Sequence, residues 1–171
     1  KGLVDLVRAY ERLRGEVEDP PELVIAGAPG WGTGPIMAAI EASPARLHIH
    51  LPGYVDREQA LGLLRHAEVF VLASEVEGFG LPLAEAISCA TPSVASDIPA
   101  LREAGGQAAL FAPPGDPAAL AAAIGRALDP AVAGELRRRA AAHAAGLRWE
   151  PIVDVWDALL ERVVADAANK G

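Results

Sequence analysis

The sequence predicts an α/β protein built on a doubly wound parallel sheet, and three observations carry that prediction. Short, wholly apolar runs such as Leu23–Ala26 and Val69–Ala73 alternate with longer segments of helical spacing. The apolar runs end in Gly or polar turn residues just where the next helical segment opens. Half of the chain (51%) is hydrophobic and 22% is charged, which supports a buried core rather than a disordered tail. A length of 171 residues fits one compact domain, at roughly 100–200 residues per domain.

The elements follow in order. Leu3, Leu6, Val7, Tyr10 and Leu13 recur at helical spacing, which predicts a helix over residues 2–14. Gly15–Pro21 reads as a loop, and Leu23–Gly27 as a buried parallel strand. The Gly/Pro-rich Ala28–Gly34 stretch leads to a helix over 35–43, and Leu47–Leu51 is the next strand. Pro52-Gly53-Tyr54-Val55 turns the chain; Asp56, with Gln59 three residues on, caps a helix that ends near His66. Val69–Ala73 is the clearest strand. Pro82 sits in the first turn of a helix that runs to Ala90. Ser93–Ser96 is a strand, Ile98–Ala104 a short helix and Ala108–Phe111 a last strand. Asp116-Pro117 opens a helix to Leu128, and two further helices cover about 131–144 and 150–167.

Composition narrows the function. Fifteen Lys and Arg against 23 Asp and Glu leave a net charge of −8, which disfavours nucleic acid as a partner. Arg137-Arg138-Arg139 with Arg148 is a local basic spot, read as a solvated helix face. One cysteine, Cys89, rules out an internal disulfide and a thiolate-rich zinc site. Cys89 reads as a buried, inert thiol on an apolar helix face. His48 and His50 share a strand face without an evident third ligand, and no metal site is expected. No apolar run reaches the ~18–20 residues that span a bilayer. The start at Lys1-Gly2-Leu3, without a methionine and already inside a periodic segment, favours a piece of a longer protein.

In an open α/β sheet, ligands sit beyond the carboxyl ends of the strands. Four loops fall there: 27–34, 52–57, 74–80 and 96–99. The third, Ser74-Glu75-Val76-Glu77-Gly78-Phe79-Gly80-Leu81-Pro82-Leu83-Ala84-Glu85-Ala86, joins the clearest strand to a helix. Gly78 and Gly80 let the backbone approach a ligand, and the positive end of the following helix suits phosphate. Glu77 and Glu85 cannot hold phosphate themselves. They suit hydroxyl groups on either side of it, which is the layout of a nucleotide-diphospho-sugar. The duller readings are turn glycines, a solvated Glu85, a mobile Lys1 and a Trp31 packed under its loop.

The same residues carry a family resemblance. Glu77-Gly78-Phe79-Gly80-Leu81-Pro82, then Glu85-Ala86, Cys89 and Thr91-Pro92-Ser93-Val94-Ala95-Ser96, resemble the family 4 glycosyltransferases. Lys1-Gly2, Gly30-Trp31, Gly53-Tyr54-Val55, Leu63-Leu64-Arg65-His66-Ala67, Glu103, Gly106, Pro113–Asp116 and Trp149-Glu150 fit in order along the chain. These are retaining enzymes of the GT-B fold, and the chain resembles their C-terminal, donor-binding domain. The resemblance implies one nucleotide-sugar-binding domain over 1–171, lacking that domain's first strand, which in the family lies centrally between the strands at 23–27 and 69–73. The sheet would then hold a gap unless those two strands pair or another chain donates one. The acceptor-binding N-terminal domain is absent as well, so the isolated chain is expected to be inactive.

Roles follow residue by residue from the resemblance. Glu77 would act catalytically, holding donor-sugar hydroxyls and orienting the leaving diphosphate. Gly78, Phe79, Gly80 and Leu81 would offer backbone N–H groups to sugar and phosphates, and Lys1 would neutralise the diphosphate. Glu85 would accept hydrogen bonds from the ribose diol. Val55 and Arg57 would lie near the base. The donor would be a GDP- or UDP-hexose with no further cofactor; family members need no divalent metal, and the chain holds no Asp-x-Asp motif. Ala90 and Ser93 depart from the family, which has Gly and a bulkier apolar residue there. The parent is expected in the cytoplasm, with peripheral contact at the inner membrane face, since acceptors are often lipid-linked. Two other readings stand: a nucleotide-sugar epimerase of the same fold, and a non-catalytic module that self-associates as a homodimer.

Overall fold

The computed structural model describes residues 2–28, 30, 33–146 and 150–168. Lys1, Trp31, Arg148 and Trp149, named above, lie outside them. The described elements alternate as expected: α1 (Leu3–Glu16), β1 (Leu23–Ala26), α2 (Gly34–Ala42), a 3-10 turn (Arg46–His48), β2 (Ile49–Gly53), α3 (Arg57–His66) and β3 (Phe70–Leu72). Then come α4 (Leu81–Ser88), β4 (Ser93–Ser96), α5 (Pro99–Gly105), β5 (Ala109–Ala112), α6 (Pro117–Leu128), α7 (Pro130–Ala144) and α8 (Glu150–Ala168).

All described strand pairs are parallel, but the sheet is divided. β1 pairs with β2, β4 lies between β3 and β5, and β1 and β3 do not pair. The expected gap is therefore present. Its consequence shows in burial. Successive residues of a strand face opposite sides of the sheet, and in central β4 Val94 enters one core cluster while Ala95 enters the other. All four residues of β4 are buried. Leu23–Gly27 reads in the sequence as a buried strand; instead only one face of β1 is covered, so Leu23 and Ile25 pack against the first core cluster while Val24, on the other face, is 43% exposed. β3 is likewise only half-buried along its length.

The first core cluster bridges the two parts. Leu6, Val7, Tyr10 and Leu13 of α1 pack with Leu120 and Ile124 of α6, and the same cluster takes in Ile49 of β2 and Val94 of β4. The second, with Leu83 and Ile87 of α4 and Leu101 of α5, lies wholly on the β3–β4–β5 part. Helices, not strand pairing, join the halves.

Local chemistry sets the boundaries. Asp56 and Gln59 form the expected capping box: Asp56 Oδ1 accepts from the Gln59 N–H, and Gln59 Oε1 accepts from the Asp56 N–H. Asp116 caps α6 by accepting from the N–H groups of Ala118 and Ala119, and Asp129 caps α7 in the same way. The N–H of Gly2 donates to Ala73 O at 2.8 Å, tying the start of α1 to the carboxyl end of β3. A Cβ on Gly2 would lie 2.3 Å from that oxygen, so only glycine fits.

Two boundaries shift. β2 begins at Ile49 rather than Leu47, because Arg46–His48 close a 3-10 turn that leaves Leu47 78% exposed. α4 stops at Ser88, with Cys89 as its cap and only half-buried, rather than running to Ala90. Ala90 follows with φ +56°, and the Thr91 N–H reaches back to Ala86 O. That left-handed stop normally selects glycine.

Candidate functional site

The turn from β3 into α4 occupies the carboxyl edge of the larger sheet. Gly80 is the N-cap of α4, with φ +94°. Its N-cap carbonyl accepts from the N–H groups of Leu83 and Ala84, while Pro82 contributes no N–H. The N–H groups of Gly78, Phe79, Gly80 and Leu81 have no hydrogen-bond partner among the described residues. Four successive free donors thus meet the positive end of a helix dipole. Glu77 stands half-exposed just before them, and Glu85 is exposed on the second turn of α4.

The two glycines of this turn differ. A Cβ on Gly80 would sit 2.4 Å from Leu101 Cδ2, in a backbone region that already excludes most side chains. Gly80 is therefore required by packing. A Cβ on Gly78 would meet nothing within 4 Å. Open space at Gly78 is what the close approach of a ligand needs.

The second contribution comes from the smaller sheet. Gly53, at φ +74°, ends β2 and accepts from the Gly27 N–H at 2.8 Å. Val55 follows, half-buried, and Arg57 is the exposed first residue of α3. Between the two sheets runs a cleft of about 1400 Å³, and Val55, Ser74, Pro82 and Glu85 stand in its wall. Glu77, Gly78–Leu81 and Arg57 are not part of that wall. The structure thus groups Glu77, Gly78, Phe79, Gly80, Leu81 and Glu85 on one turn and the start of its helix, whereas Val55 stands in the cleft wall and Arg57 outside it. Ser74, 2% exposed, had no assigned role; its place just after an apolar strand was the available signal.

The remaining candidates resolve differently. In the loop over 96–99, Asp97 receives Arg102 Nη2 at 2.6 Å, and this guanidinium holds the Asp97 carboxyl below its ordinary range. Arg102 also lies over the Phe111 ring, 4.9 Å from its centroid. His48 and His50 do converge, on Glu22, which is distant in sequence: Glu22 Oε1 lies 2.9 Å from His48 Nδ1, and Glu22 Oε2 lies 2.8 Å from His50 Nε2. Among the described residues no group of three His, Cys, Asp or Glu is placed to hold a metal ion. Glu135 engages both Arg138 and Arg139, so the basic spot on α7 is largely paired. No described helix is long and apolar enough to cross a membrane.

Comparison with known proteins bears on family and fold. Residues 1–130 match the family model described as glycosyl transferases group 1. The chain is 36% identical over 129 residues to O-antigen chain mannosyltransferase B of Escherichia coli, covering 75% of this chain and 34% of that protein. It is 37% identical over 145 residues to a glycogen synthase of Mycobacterium tuberculosis, covering 82% and 34%. It thus spans about a third of the length of these relatives. Among solved structures, sucrose-phosphate synthase from Thermosynechococcus elongatus superposes with a TM-score of 0.84 at 28% identity, over 97% of this chain and 43% of that one. A pneumococcal O-GlcNAc transferase, solved with UDP and GlcNAc, superposes with a TM-score of 0.77 at 25% identity, over 94% and 33%. The fold is the Rossmann-like, C-terminal half of a GT-B architecture. By the family model and these relatives, the chain belongs to the group 1 glycosyl transferases.

Proposed function

We propose that this chain binds the donor of a family 4, retaining glycosyltransferase, which moves a hexosyl group from a nucleotide-diphospho-sugar to an acceptor. The observation that carries the reading is the row of free N–H groups over Gly78–Leu81, set between Glu77 and Glu85. As the anomeric C–O bond breaks, the bond's electron pair stays with the diphosphate and its negative charge grows. Fixed N–H donors and the α4 dipole stabilise that charge as it develops. Lys1 adds a cation in this reading, so that leaving-group stabilisation comes from the chain rather than a divalent metal. Glu77 holds sugar hydroxyls and fixes the ring against the diphosphate. Glu85 accepts from the ribose diol, and Val55 and Arg57 border the base. The acceptor is held by a second, N-terminal domain.

Titration calorimetry with UDP, GDP and ADP tests the donor site in this chain. One of the diphosphates binds, its nucleoside binds far more weakly, and Glu85→Ala weakens the diphosphate by roughly 1.5–3 kcal/mol, the worth of hydrogen bonds to a charged group. Equal affinity in Glu85→Ala and wild type removes Glu85 from the site. In the full-length enzyme, Glu77→Ala lowers kcat and kcat/KM together; unchanged turnover rejects its role.

A further inference from the structure

We infer that His143 on α7 is a positioning residue for the donor loop: it holds the carboxyl end of α5, and α5 is the seat that fixes the N–H groups of Gly80 and Leu81. The donor-binding half of this inference rests on the reading above; the mechanical half does not.

The seat is one face of a short helix. Leu101 and Ala104, three residues apart on α5 and both fully buried, lie against Gly80. A Cβ on Gly80 would come within 2.4 Å of Leu101 Cδ2 and 3.7 Å of Ala104 Cβ. Gly105, the last residue of α5, is set as closely. A Cβ there would lie 3.1 Å from Leu83 Cδ2 of α4 and 3.0 Å from Phe111 Cζ of β5. Close packing of this kind passes a displacement on rather than absorbing it. Movement of α5 therefore moves the N-cap of α4.

The end of α5 is held from outside. The last carbonyls of a helix have no partner within it. The Ala108 N–H, which would reach Ala104 O if the helix continued, donates instead to Gly105 O at 2.8 Å. His143, 39 residues along the chain, takes that place with Nε2 at 2.9 Å from Ala104 O. A carbonyl oxygen only accepts, so Nε2 carries the proton. The ring also packs on Gly106, at φ +50°, where a Cβ would lie 2.7 Å from His143 Cε1. α7 delivers the ring to this place: Ala140, three residues earlier, is buried in the same cluster as Leu83, Leu101 and Ala104.

The contacts thus run from His143 through Ala104 O and α5 to Gly80. A hydrogen bond weakens steeply as donor and acceptor lose alignment. A small tilt of the Gly80 turn therefore loosens whatever its N–H groups hold, although His143 itself touches none of it.

Three variants of this chain test the inference against wild type. Each is read by calorimetry with whichever of UDP, GDP and ADP binds wild type, by NMR of the Gly78–Leu81 amides, and by urea denaturation. His143→Leu removes the N–H donor, and His143→Gln keeps one at the end of the side chain. Leu136→Ala opens the packing of α7 in the first core cluster and leaves the His143 bond in place. His143→Leu shifts the Gly80 and Leu81 amides and weakens the diphosphate about fivefold, whereas His143→Gln keeps wild-type amides and an affinity within about twofold. Leu136→Ala lowers the urea midpoint, with amides and affinity unmoved. Wild-type amides and affinity in His143→Leu overturn the inference. Equal losses of affinity in Leu136→Ala and His143→Leu also overturn it, since general packing then suffices. His143→Gln as weak as His143→Leu rejects the hydrogen bond as the cause. If His143→Leu does not fold, the wild-type ring decides: an Nε2–H tautomer supports the bond and an Nδ1–H tautomer overturns it. If wild type binds none of the diphosphates, the donor reading and the donor half fall together. Shifted amides in His143→Leu then still support the seat, and unshifted ones overturn it.

Discussion

Gly78 and Gly80 are two residues apart in one loop, yet their replacement by alanine should separate folding from binding. Gly80→Ala forces a side chain into a left-handed backbone, at a cost of about 1–2 kcal/mol. It also drives a Cβ to 2.4 Å from Leu101 Cδ2, in a part of the core where Leu101 is fully buried. Overpacking of this kind adds about 1–3 kcal/mol. The sum, roughly 2–5 kcal/mol, is read from urea denaturation followed by circular dichroism, as a lower midpoint at unchanged slope. Gly78→Ala meets nothing within 4 Å and should stay within ~0.5 kcal/mol of wild type, while losing threefold or more in UDP affinity. Leu101→Ala gives the internal check: Gly80→Ala with Leu101→Ala should lose at least ~1 kcal/mol less than the two single losses combined. A Gly80→Ala protein as stable as wild type, or additive losses in the double variant, refutes the packing argument.

Three other outcomes are expected. Ala90→Gly relieves the left-handed residue behind α4 and, after the greater freedom of glycine in the unfolded chain, stabilises by roughly 0.5–1 kcal/mol; a Tm no higher than wild type counts against it. Gly2→Ala sets a Cβ against the carbonyl oxygen of Ala73 and breaks the bond that anchors α1, lowering the urea midpoint by the equivalent of about 1–3 kcal/mol; an unmoved midpoint would contradict that anchor. Hydrogen bonds from His48, then His50, hold the Glu22 carboxyl below its ordinary 4.5. A depressed carboxylate stabilises the fold above its unfolded value, and that contribution fades as pH falls from 4.5 through the lower folded value. In His48→Gln with His50→Gln, an NMR titration should return Glu22 upward toward 4.5, and an unshifted curve would discard the pairing.

Local rules carried much of the fold into the sequence. Asp56 with Gln59, and Asp116 before Pro117, announced their helices because a cap acts within three residues. Asp129 makes the same bonds to α7, which opens at Pro130, one residue before the start that helical spacing predicts. The start of β2 was misplaced because Leu47 is apolar yet faces outward, a choice made by the 3-10 turn and not by the alternation of residues. The site divides in the same manner. The free N–H groups of Gly78–Leu81 follow from glycines and a proline in one loop, so they were legible. Which glycine serves packing depends on Leu101, 21 residues later, and the pairing of Glu22 with His48 and His50 spans 26 and 28 residues. Contacts of that range leave no trace in a single sequence.

The divided sheet also bears on solubility. Two unpaired edges invite strand addition between copies, and a net charge of −8 is the main long-range force keeping copies apart. That repulsion is screened beyond about 8 Å at physiological salt, and it shrinks as carboxylates take up protons in mild acid. The chain should therefore be most prone to aggregate in salt at acidic pH, where its edges can meet unopposed.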